Sequence, residues 1–260
     1  MLLVELTENG AGVFVSGDYE DLYFLREAVS NVAGDRTSYE GYEYVHSVVQ
    51  HFVFELLHAY RAERDSFMTR CDTPSYKFKM LLPEAIFVAD ALNDYIILAE
   101  SDAFYINTMT DKNSSLAGKI RERFYIDKAF IRFFQASVWN AVRNVIGEER
   151  FESIKPYRDY EAICENKDMR YKGYCREWID ILNIRYINNE NSHEDFTVEV
   201  IKKLAERDEE YMSKERAMQE HAKDGNISLF LSLLDELILM NGNGNKIRRT
   251  AIGPSFRFCS

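Results

Sequence analysis

The sequence predicts an α+β protein, with a small antiparallel sheet packed on a mainly helical body. Three observations carry that expectation. Residues 42–64, YEYVHSVVQHFVFELLHAYRAER, form a long apolar stretch free of Gly and Pro. Short β-forming runs flank an Asn-Gly turn near the start, and a strictly alternating run follows at Tyr76. Gly (12) and Pro (4) are few for 260 residues, which favours helix over a turn-rich β architecture.

Taken in order, residues 2–7 and 13–16 read as a hairpin joined by ENGAG. Asp18 then stands where a helix N-cap belongs, with Glu20 and Asp21 in the first turn to complement the dipole, and Gly34 ends the helix. In 42–64, Val45, Val49, Phe52, Val53, Leu56 and Tyr60 fall on one helical face, and Val48, Phe54 and Leu57 widen it. This is the expected central helix. Tyr76, Phe78 and Met80 alternate with Lys77 and Lys79, the period-two pattern of one further strand that pairs with the hairpin. Pro83 suits the first turn of the apolar helix that follows.

That helix carries Asp90, Asn93 and Asp94, and the two Asp residues lie one turn apart on one face. Buried near each other, the two carboxylates would raise one pKa and be a site candidate; otherwise they form a polar edge bonded to a neighbouring loop. Residues 106–119 are polar and aperiodic, the expected loop and domain boundary. A helix over 127–147 follows, with Ile131, Phe134, Val138, Val142 and Val145 at core spacing and Arg132, Trp139 and Arg143 on another face, where an Arg can stack on the indole. Residues 151–178 are dense in aromatics and charges. Residues 197–223 read as one charge-laced helix with a polar break at Asp208, and 226–240 are apolar nearly all round, so this chain or a second copy must cover them. The expected division is 1–105, a helical part 106–241 able to share the same core, and a linker with basic tail 242–260.

A net charge of -11 argues against nucleic acid and anionic membranes as general partners. No segment offers the roughly 18 to 20 apolar residues a bilayer span needs. The N-terminus MLLVELTENG lacks a signal-peptide pattern, and Cys71, Cys164, Cys175 and Cys259 have neither CxxC nor zinc spacing. The expectation is a cytoplasmic protein with reduced thiols.

The strongest catalytic or metal-ligating constellation is His51, Glu55 and His58, aligned by spacings of four and three. Glu-x-x-His is the spacing of carboxylate di-metal bundles, but a bundle site needs matching carboxylates and a second Glu-x-x-His from other helices, and HExxH is absent. The strip is therefore a candidate acid–base or metal site or a solvated face. GxSxG, GxxxxGK[ST] and a strand-borne GxGxxG are all missing. No cofactor is expected. Candidate binding residues are Trp139, Arg143, Tyr157, Arg158, Tyr171, Tyr174 and Trp178, since aromatics and Arg dominate interface energetics, together with Lys246, Arg248 and Arg249 in the tail.

The stretches GAGVFVSGDYEDLYFL, LPEAIFVADALNDYI and FIRFFQASVWNAV resemble a bacterial family described only as a domain of unknown function, over about Gly10 to Gly147. The resemblance implies a bacterial or prophage cytoplasmic protein of mixed α/β build and brings no catalytic residue with it. The functional expectation is a non-enzymatic protein that self-associates through the apolar segment 226–240 and presents the aromatic segment 151–178 or the tail to a protein partner. The alternatives are an enzyme using the His51 strip and a nucleic-acid binder using the tail.

Overall fold

The computed structural model describes residues 1–8, 10–69, 72–109, 115–158, 169–189 and 192–223. Segment 226–240, the cluster Lys246, Arg248 and Arg249, and Cys71, Cys164 and Cys259 lie outside them.

The hairpin forms as expected from β1 (Leu3–Leu6) and β2 (Gly12–Gly17), antiparallel with Val4 opposite Val15. Asp18 then caps α1 (Tyr19–Ala33) in a reciprocal box: its carboxylate accepts from Asp21 N at 2.9 Å, and the Asp21 carboxylate accepts from Asp18 N at 3.1 Å. Gly34 closes that helix at φ +63°, a backbone that only glycine adopts without strain, and its N–H bonds Ser30 O. Helix α2 (Glu43–Tyr60) follows. It stops four residues short of the expected end, because the chain turns at Ala62, with φ +58°.

The turn leads into a strand that the sequence analysis lacks, β3 (Asp65–Met68), whose four residues are all exposed and show no alternation. β4 (Pro74–Leu81) is the alternating run. It lies between β2 and β3 in a four-stranded sheet of order β1-β2-β4-β3. Phe78 and Met80 face the helices with Val13 and Val15, while Lys77 and Lys79 lean over the Phe14 ring on the other face, at 4.5 and 5.1 Å from its centroid.

Helix α3 (Leu82–Met109) is the element the body closes around. Every residue of 85–96 is buried, whereas α2 exposes His51 and Phe54 on its outer side. Ala85, Ala89 and Ala91 keep α3 slim enough for neighbours on several sides. Helix α4 (Ser115–Ser153) packs along it, broken at Gly147, where φ is +77°. The expected loop 106–119 is thus helical at 106–109 and 115–119, and residues 110–114 are not described.

Helix α5 (Lys155–Arg158) is a single turn. After residue 169 come α6 (Arg176–Ile187), α7 (His193–Ala205) and α8 (Glu209–Lys223). The expected single helix over 197–223 is corrected to two. Asp208 is the reason, since its carboxylate accepts Tyr211 N at 2.8 Å and starts α8 afresh. Ser192 caps α7 through Glu194 N at 3.2 Å, so the His193-Glu194-Asp195 run opens a helix, and both acids pair with Arg150. Buried apolar residues from Leu2 to Tyr211 form one cluster, in which a fully buried Phe or Leu stabilises by roughly 2 kcal/mol.

Candidate functional site

The His51, Glu55 and His58 strip does line one outer face of α2, and its neighbours in the following turn engage it. Arg64 grips both oxygens of Glu55, with Nε and Nη2 each at 2.8 Å, and Glu63 meets His58 Nδ1 at 2.5 Å. The Arg64 hydrogen bonds hold the Glu55 carboxyl below its ordinary pKa, against a smaller upward push from burial. Among the described residues no group of three or more His, Cys, Asp or Glu side chains is arranged to hold a metal ion.

The other helical pair of the sequence, Asp90 and Asp94 on α3, is buried. The turn at 170–174, far along the chain, supplies its partners. Arg170 pairs with Asp90, the side chains being 8% and 5% exposed, and the Tyr171 hydroxyl donates to the same carboxylate at 2.8 Å. Asp94 accepts the Tyr171 backbone N–H at 2.8 Å and the Tyr42 hydroxyl at 2.9 Å. Asn93 bonds Asp90 at 3.4 Å and accepts from Gln135 at 3.2 Å and from Arg132. Gln135 also caps Ala89 O at 2.6 Å. Burial pushes the Asp90 carboxyl above its usual range while Arg170 and the Tyr171 hydroxyl pull it down; burial and the adjacent carboxylates push Tyr42 and Tyr171 up. These donors and acceptors satisfy one another, which makes the network a clamp between α2, α3, α4 and the 170–174 turn.

Arg170 carries this clamp to the surface. Its guanidinium also donates to Tyr157 O at 3.0 Å, and there it borders a cleft of about 600 Å³. The polar wall is Arg170, Lys172 and Arg207; the apolar wall is Pro156, Met169, Leu204 and Ala205, with Tyr157 and Tyr174 between them. Arg207 holds the wall in place by donating to Arg170 O at 3.1 Å and Lys172 O at 2.6 Å. Arg170, Lys172 and Arg207 were not singled out from sequence; the only trace was their place in or near an aromatic, charged run.

The candidate binding residues are dispersed. Tyr157 and Arg158 are half-buried beside the cleft, and Tyr171, Tyr174 and Trp178 are core residues, the Trp178 indole donating to Lys203 O at 3.3 Å. Arg143 stacks on Phe151 at 4.4 Å, with Arg158 on the same ring at 4.1 Å; the expected stack on Trp139 is replaced because the break at Gly147 brings Phe151 back within reach. Cys175 is a free thiol pushed up to about 12 by burial and by Glu177, a poor nucleophile.

A second surface feature lies across α1, α2 and α4. Tyr19 stacks on Tyr23 at 5.8 Å, both meet Tyr60 edge-on, and Phe24 joins Tyr23 to Phe130 at 5.5 and 5.6 Å. Phe133 follows Phe130 one turn along α4. Tyr19, Phe24 and Phe133 are 51%, 38% and 46% exposed, so this aromatic ladder reaches solvent.

A family model described as a domain of unknown function (DUF6904) matches residues 2–231. No curated protein and no solved structure matches the chain.

Proposed function

The chain belongs to the DUF6904 family, and for it we propose a non-enzymatic interaction protein, acting in a bacterial cytoplasm, that associates with a second copy and in that form docks a protein partner. The aromatic ladder is the observation that carries this reading. Tyr and Phe side chains offer large contact area at little cost in conformational entropy, and contiguous exposed apolar surface of this kind favours association. Net charge matters too. At -11, two copies repel over most of their surface, whereas along the ladder Arg26 pairs with its neighbour Glu27.

The acid–base alternative at His51, Glu55 and His58 draws no support from a strip whose Glu55 is gripped by Arg64. The nucleic-acid alternative rests on Lys246, Arg248 and Arg249, outside the described residues.

Light scattering over a concentration series tests the proposal. The wild type is expected to give a defined oligomer, and the double substitution Phe24→Ser with Phe133→Ser a folded monomer by near-ultraviolet dichroism. A wild type that stays monomeric at every concentration, or an oligomer indifferent to both changes, overturns it.

A further inference from the structure

We infer that the cleft between α5, the 170–174 turn and the C-terminal end of α7 is a binding site for a small organic phosphate: a phosphomonoester head with an apolar or aromatic body. The inference is independent of the aromatic ladder and its oligomer. Three features of the cleft point to this ligand class.

The first is charge. Arg170 is neutralised by Asp90 beneath it, but among the described residues neither Lys172 nor Arg207 has a carboxylate within ion-pair distance. Both are exposed in a protein of net charge -11. Among the described residues around the cleft, Arg170, Lys172, Lys202 and Arg207 outnumber Asp90, Asp94 and Glu206, the last of which accepts the Tyr157 hydroxyl. Two cations without an ion-pair partner among the described residues match the dianion of a phosphomonoester better than a monocarboxylate.

The second is geometry. Arg207 spends Nη2 on two backbone carbonyls, which fixes the guanidinium plane and leaves its other N–H groups for a ligand. Lys172 adds a mobile point charge beside this fixed fork. The Asp90–Arg170–Tyr171 clamp anchors the turn that carries Lys172, so the backbone under that charge is set before any ligand arrives.

The third is size and lining. About 600 Å³ lies in the range of small-molecule sites and far exceeds what an inorganic ion fills. Met169, Leu204 and Tyr157 give the rest of the ligand an apolar wall with one aromatic face.

Isothermal titration at low, fixed ionic strength decides it, with phenyl phosphate, benzoate and inorganic phosphate as probes. Phenyl phosphate is expected to bind saturably, one per chain, and more tightly than the other two. Arg207→Ala could loosen the turn it pins, so the deciding variant is Lys172→Ala, whose exposed side chain makes no hydrogen bond among the described residues. It should weaken phenyl phosphate about tenfold or more. Absence of saturable binding overturns the inference, as does an affinity that Lys172→Ala leaves unchanged. Benzoate binding as tightly as phenyl phosphate overturns the dianion assignment, and inorganic phosphate doing so overturns the organic body.

Discussion

Two polar strips at helical spacing sit on neighbouring helices, and they have opposite fates. On α2, Glu55 and His58 pair with Arg64 and Glu63 from the next turn of chain, and the strip they form with His51 stays near solvent. Asp90 and Asp94 on α3 are enclosed by Tyr42, Arg170 and Tyr171, brought from both sides of the chain. The spacing is alike; the environment differs. A local ion pair in water contributes little, because the separated groups are almost as well solvated. A buried pair stabilises little against an apolar replacement yet is costly to break, since one charge is then stranded.

The largest expected effect follows from that asymmetry. Arg170→Ala leaves Asp90 buried without its cation and should cost about 3–5 kcal/mol, read as a lower urea midpoint at unchanged slope. A loss of about 1 kcal/mol or less, the size of one ordinary hydrogen bond, would erase the distinction between the strips. Next is Asp94→Ala, which strands the Tyr42 hydroxyl and the Tyr171 N–H and should cost about 2–3 kcal/mol, whereas Tyr42→Phe removes one donor and should cost about 1 kcal/mol. Thermal unfolding of both variants ranks them.

At the small end, Glu55→Gln should change stability at neutral pH by about 0.5 kcal/mol, and His51→Ala by less. Their pH dependence sharpens the contrast. The Glu55 carboxyl is held low by Arg64, so its contribution is present above the ordinary carboxylate pKa of 4.5 and is lost as pH falls through the folded value. Asp90 is pushed up by burial, so its contribution is present below 3.8 and is lost as pH rises through its folded value. The urea midpoint of Glu55→Gln should therefore fall less steeply than that of the wild type below about pH 4.5, and a parallel decline would remove Glu55 from the account.

Most of the scaffold was legible. The N-terminal hairpin, the Asp18 cap, the stop at Gly34, the alternation at Tyr76, Pro83 and the break at Gly147 all act within a few residues, where backbone sterics and side-chain period decide the outcome. Strand β3 was not legible, because Asp65–Met68 is exposed on both faces and so carries no alternation. Nor was the division of α7 from α8. The polar break at Asp208 was visible, but its role as a cap depends on which way its carboxylate turns.

The sequence alone thus determined which residues share a helix face or a strand face, the chemistry available on each, and the α+β class. Only the tertiary structure decided which polar strip is buried, that Tyr171 and Trp178 are core while Tyr157 edges a cleft, and that Lys172 and Arg207 face that cleft together. The physical reason is range. Periodicity and capping are properties of adjacent residues, whereas desolvation of Asp90 and the gathering of cations from residue 170 to residue 207 depend on contacts between distant segments.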